Sequence, residues 1–338
     1  MAHNLCTQGG KVHMMYVEQA PWHGLGTRLD KPATAAEAIG AAHLDWRVSK
    51  KPLYLIDGPN REFLVPDRFA VVREDRMDEC FDPARQPVLG VVSDAYTPLQ
   101  NAEAFEFFDA IVGQDAAIYH TAGALGNGER VWILAKLPSN MRVVGDDIVD
   151  KYLLLVNSHD GSTSVQIRFT PIRVVCQNTL MLALQAGPRL RVPHTRDLLR
   201  RLQDAQRSLG LIHATFDRME RTFKAMQRVQ VSTRRLHDYL STVFPEPAAP
   251  ADQRVFERVR RDRELCRHLF AEGAGSRMPG VRGTLWAAYN GVTELVDHAG
   301  SPRLTDQRRL QSAWFGQGYL TKARAYQIAN EKARLWAN

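Results

Sequence analysis

Two neighbouring stretches decide the fold of this chain: AIYHTAGALGNGERVWILAKL over Ala117–Leu137 and YLLLVNSHDGSTSVQIRFTPIRVVC over Tyr152–Cys176. Each places two β-prone runs around a turn, Gly126-Asn127-Gly128 in the first and Asp160-Gly161 in the second. Glycine and asparagine accept the left-handed backbone that tight turns require, and Asp-Gly between β-rich runs is a strong hairpin signal. Two consecutive hairpins make an antiparallel sheet and argue against a doubly wound parallel one.

Outward towards the N-terminus the same grammar holds. Trp46, Val48, Leu53 and Leu55 form one β-prone run and Phe63, Val65, Phe69 and Val71 another, separated by Asp57-Gly58-Pro59-Asn60. A third run, Val88 to Val92, leads into a helix that Asn101 is expected to cap, with Ala104, Phe105, Phe108, Ile111 and Val112 on its apolar face. Upstream, Thr34 with Glu37 three residues on reads as a capping box for a short helix to about His43. Downstream, Asn178 is expected to cap a short helix ending near Gly187-Pro188. The strands from residue 45 to 190 are expected in one sheet of six or seven strands.

Beyond residue 190 the period changes. Leu198, Leu202, Ala205, Leu209, Ile212, Phe216, Met219, Phe223 and Met226 alternate steps of four and three, an apolar helical stripe. Opposite it lie Arg200, Arg201, Arg207, Arg218, Arg221, Lys224 and Arg228, and the helix is expected to run on to about Val243. FPEPAAPAD, Phe244–Asp252, is a proline-rich break. A second basic helix, about Gln253–Ala271, the loop GAGSRMPGVRG and a final helical region follow. The expected fold is therefore α+β: an antiparallel sheet with long hairpins and packed helices over residues 1–190, then a mostly helical basic region over 191–338 broken at 244–252.

Charge divides the same way. Residues 1–190 hold 18 Lys and Arg against 22 Asp and Glu, and the rest of the 338-residue chain holds 26 against 15, so the parts carry −4 and +11. A basic half points to an anionic partner, most simply nucleic acid, although a solvated arginine-rich helix has the same composition. No apolar run is long enough to span a membrane and the first residues lack a signal-peptide pattern, so a cytoplasmic location is expected. Cys6, Cys80, Cys176 and Cys266 form no CxxC pair and are expected as free thiols.

Catalytic signatures are sparse. The glycine-rich loop lacks phosphate-loop spacing, and no HExxH, His/Cys quartet or GxSxG elbow occurs. Asp146, Asp147 and Asp150 cluster, but in a loop before a strand. His159 sits at a hairpin tip beside Ser158, Ser162 and Ser164 with no third member to orient it. No cofactor or metal is expected, and the balance leans away from an enzyme. Cationic strand positions are the better candidates. Arg47, Lys50 and Lys51 in the first strand region, Arg168 and Arg173 around RFTPIR, and Arg200, Arg201 and Arg207 on the helix are expected to meet phosphates, with Trp46 stacking on bases.

Several motifs together resemble a known family: PWHGLG (Pro21–Gly26), YTPLQN (Tyr96–Asn101), FTPIRVVCQNTL (Phe169–Leu180), GTLWAAYNGVTELVDH from Gly283 and WFGQG from Trp314. The chain resembles the phage/plasmid-like protein family, a domain of unknown function numbered nine-three-two, over nearly its whole length. The resemblance implies a mobile-element protein and carries no catalytic residues with it. In outline the expected architecture is similar to phage single-strand annealing proteins, which implies binding of single-stranded DNA as a homo-oligomer. A module that inhibits a host defence or repair protein, and a nuclease or nucleotide-processing enzyme with a dispersed site, are the alternatives.

Overall fold

The computed structural model describes residues 5–17, 25–31, 33–59, 61–77, 87–112, 118–173, 178–179, 190–208, 212–247, 252–299, 312 and 316–337. The chain opens with short strands β1 (Thr7–Gln8), β2 (Lys11–Val12), β3 (Met14–Val17) and β4 (Thr27–Leu29), then helix α1 (Ala35–Ala41). The Thr34 capping box is formed: the Thr34 hydroxyl accepts from the Glu37 N–H and the Glu37 carboxylate accepts from the Thr34 N–H.

The hairpins fold as expected. β8 (Ile118–Leu125), β9 (Arg130–Val144), β10 (Asp147–Ser158) and β11 (Val165–Phe169) form an antiparallel meander. Gly126 (φ 66°), Gly128 (φ 116°) and Gly161 (φ 74°) take the left-handed conformations their turns demand. β12 (Ile172–Arg173), β13 (Asn178–Thr179) and β14 (Leu190–Val192) complete one side, and β3 and β4 the other, with β3–β4 a parallel pair in this otherwise antiparallel sheet. Asn178 is therefore in a strand and caps no helix, because its backbone pairs with Arg173. Residues 180–189 lie outside the described set.

The single sheet expected from 45 to 190 is two sheets. Among the described residues β5 (Val48–Ile56), β6 (Glu62–Arg73) and β7 (Val88–Ser93) pair only among themselves, in the order β5-β6-β7. The small sheet docks against the tip of the β10–β11 hairpin: a Cβ placed on Gly90 would lie 2.6 Å from the Asp160 Cα. Beyond that contact β5 and β6 reach into solvent as an arm.

Helix α2 (Asn101–Val112) crosses the large sheet, burying Ala104, Phe105 and Phe108. The expected long helix is α3 (Leu198–Ser208), α4 (Ile212–Arg228) and α5 (Thr233–Val243). Leu209 lies outside the described residues. After Arg228 the chain turns extended because its backbone pairs with another loop: Val231 N–H donates to the Gly283 carbonyl and Leu285 N–H to Val229. Ser232 then caps α5. The proline-rich break stands between Val243 and α6 (Gln253–Glu272), and α7 (Leu285–Glu294) and α8 (Gln317–Leu335) follow.

Side chains from both sides of residue 190 share one core. Phe216, Met219, Phe223 and Met226 of the stripe are fully buried, in one apolar cluster with Leu137, Met141, Val143 and Val149 of the sheet. Phe223 packs on Trp286, Tyr289 and Tyr326 with centroids 4.7–6.4 Å apart, and Trp286 Nε1 donates to buried Asp147 at 2.7 Å. Asp147 thus fastens the helices to the sheet. Asp150 pairs with Lys136 and Asp146 is fully exposed, so the three aspartates do not converge. Among the described residues no group of three His, Cys, Asp or Glu side chains could hold a metal ion, and no helix is long and apolar enough to cross a membrane.

Candidate nucleic-acid interface

Two basic segments a hundred and more residues apart in sequence meet at Asp94, just past β7. From β5, the Lys50 ammonium donates to the carbonyls of Asp94 (2.6 Å) and Tyr96 (3.0 Å), with its charge 4.5 Å above the Phe69 ring. From the turn before α3, Arg196 donates to the Asp94 carboxylate at 3.0 Å and its side chain is 82% exposed. The reason is a backbone clasp: Thr97 N–H donates to the His194 carbonyl and His194 Nδ1–H to the Thr97 carbonyl, with His194 stacked on Tyr96. Arg200 continues this edge between Asp197 and Asp204, with Arg201 exposed beside it. Arg47 and Lys51 are exposed on the β5 side.

The other expected positions are placed differently. Arg168 shares the sheet face of Gln166, donates to its Oε1 and lies 4.6 Å over the Tyr319 ring of α8, away from the Asp94 group. Arg173 is in β12 by its backbone, and the side chains of Arg173 and Arg207 fall outside the described set. Trp46 is 5% exposed, with the Arg73 guanidinium 4.2 Å over one face and His159 edge-on at 5.3 Å, so no base can stack on it in this arrangement. Trp46 lies just before β5, and Arg73 covers the face that a base would need. A second cationic surface runs along α4, where Arg218, Arg221 and Lys224 line an open cleft with Asp217 and Glu220.

Behind the basic edge is a buried polar junction that sequence reasoning read as a turn. His159 is fully buried. Asn101 Nδ2 donates to the carbonyls of Leu44 and Trp46, which leaves Asn101 Oδ1 to accept from His159 Nε2 at 3.0 Å and fixes the neutral Nε2–H tautomer. Burial, then the charges of His194 and Arg73, hold the His159 pKa down at about 3. Asn101, expected as a helix cap, is turned into this junction instead, because the Oδ1 that would accept from helix N–H groups accepts from His159. Tyr96 donates to the Ser158 carbonyl at 2.8 Å, and Gln100 pairs with both backbone groups of Val48. The side chains of YTPLQN therefore tie the small sheet, α2 and the hairpin tip together, beneath the surface where Lys50 and Arg196 meet.

The family model of a domain of unknown function, DUF932, matches residues 88–314. The chain belongs to the DUF932 family. The DUF932 match includes Asp94, the polar junction from Tyr96 to His159, and α3 to α7; Trp46 and the whole β5–β6 arm precede it. Two curated relatives, both from Escherichia coli (strain K12), share parts of it. UPF0380 protein YafZ is 33% identical over 103 residues, 30% of this chain and 35% of its own length. UPF0380 protein YfjQ is 38% identical over 76 residues, 22% of this chain and 26% of its own length. The chain thus spans about a third or less of these relatives. No solved structure matches this DUF932 protein.

Proposed function

We propose that this protein binds single-stranded DNA, without marked sequence preference, along the edge where β5 and α3 meet, and does so as an oligomer in the DNA metabolism of a mobile element. The observation that carries this is the convergence of Lys50 and Arg196 on Asp94, with Arg200 and Arg201 on the next turn. Separated basic runs that fold into one edge make a track for a phosphate backbone. Lys50, held by the Asp94 and Tyr96 carbonyls, fixes the edge, while the exposed pairs of Arg196 with Asp94 and of Arg200 with Asp197 and Asp204 exchange for phosphate at little cost. The +11 of the residues beyond 190 supplies the long-range attraction. With Trp46 buried, phosphate contact rather than stacking is the main source of affinity.

The test is fluorescence anisotropy of a labelled single-stranded oligonucleotide at several salt concentrations. Affinity should fall with salt by a slope of roughly −0.7 per phosphate neutralised. Replacing Arg196, Arg200 and Arg201 together by Ala should weaken binding and flatten that slope, while Arg168→Ala should not. No binding at low salt would end this proposal; equal binding by the triple variant would move the site, with the α4 cleft next in line.

A further inference from the structure

The β5–β6 arm is built for a partner. β7 pairs with β6 only over Arg68–Val72, so among the described residues Tyr54–Ile56 and Glu62–Leu64 pair with nothing but each other. Tyr54 stands opposite Leu64 and Leu55 opposite Phe63, and these four with Ile56 are 50–68% exposed. A two-stranded ribbon with apolar side chains on both faces is marginal in water, and an open apolar edge is a template for another strand. The irregularity in the pair lies in β6, where Pro66 and Asp67 (φ 54°) intervene between Leu64 and Phe69. The outer edge of β5 has no strand partner among the described residues.

We propose that this arm joins two copies of the chain, β5 pairing antiparallel with β5 of a second copy to give a four-stranded sheet about a twofold axis. A contact of this kind requires a strand complementary to its own reverse, and β5 is. With Tyr54 opposite itself, Leu53 faces Leu55, Pro52 faces Ile56, and Lys51 faces Asp57 twice. Lys51 is exposed and makes no ion pair among the described residues, while Asp57 has only the exposed Arg61 at 3.4 Å. Slipping by one residue would offer Asp57 the Lys50 ammonium, which Asp94 and the Tyr96 carbonyl already hold. Pro52, which has no N–H to give, faces Ile56 at the body end of this pairing, and the Lys51–Asp57 pairs close it through side chains rather than backbone. The inference rests on the oligomeric part of the proposed function and needs no nucleic acid.

Sedimentation velocity of the full chain at micromolar concentration, without DNA, tests it. Wild type should sediment as a dimer or a larger even assembly. Lys51→Asp alone places two acids against two acids, and Asp57→Lys alone two lysines against two lysines, so each should lose the dimer. Mixed in equal amounts, the two variants have opposite charges at both positions and should restore it as a heterodimer. All these side chains are exposed, and unchanged circular dichroism would confirm that folding is untouched. A monomeric wild type would overturn the proposal and give the arm to a different protein. Variants that associate as wild type does, or a mixture that stays monomeric, would overturn it as well, and none of these outcomes bears on the cationic edge.

Discussion

Acid should loosen the junction around His159, by an amount that follows from its burial. The ordinary histidine pKa is 6.5, and in the folded protein His159 titrates only at about 3. As pH falls below 6.5 the unfolded chain takes up a proton that the folded chain refuses. Stability is thus complete above that value and is lost progressively as pH falls towards 3. Integrated from pH 7 to pH 5, one such histidine costs about 2 kcal/mol. The structural reason is that protonation adds a donor at Nδ1, which has no acceptor among the described residues, while Nε2 is already committed to Asn101. His13, held at about 4 by burial and the Arg73 charge, adds a cost of the same sign. Urea denaturation followed by tryptophan fluorescence, at pH 7 and pH 5, measures the total. His159→Gln keeps an amide donor for Asn101 and removes the titration, so its loss of stability between the two pH values should be smaller by about 2 kcal/mol. Identical pH dependence in variant and wild type would refute the assignment of His159 as a buried neutral ring.

Phe216 is fully buried, so Phe216→Ala should destabilise the protein by roughly 3–5 kcal/mol in the same denaturation assay; near-wild-type stability would mean that the stripe is not core. Gly90→Ala would push a methyl into the Asp160 backbone, which cannot swing aside as a side chain can, and should cost roughly 1–3 kcal/mol. Hydrogen exchange at residues 157–162 should speed up in that variant, and unchanged protection there would separate the small sheet from the hairpin tip.

Local chemistry was legible in the sequence wherever a single segment decides its own shape. The Thr34 capping box, the glycine turns at 126–128 and 161, the four-three stripe through Phe216 and Phe223, and the proline-rich break all depend on neighbours a few residues away, and each stands as read. Tertiary structure decided what depends on distant partners. Hydrophobic alternation cannot tell one sheet from two, and the docking of Gly90 on Asp160 splits β5–β7 from the rest. Nothing local at Val229 ends a helix; the loop at 283–285 does so by offering backbone partners. Trp46 and His159 both looked like surface residues and are buried because Arg73 and Asn101, far away in sequence, cover them. Lys50, Arg200 and Arg201 stand out in the sequence but Arg196 does not, and which of them share an edge is fixed only where the clasp between Thr97 and His194 carries Arg196 to Asp94 beside Lys50.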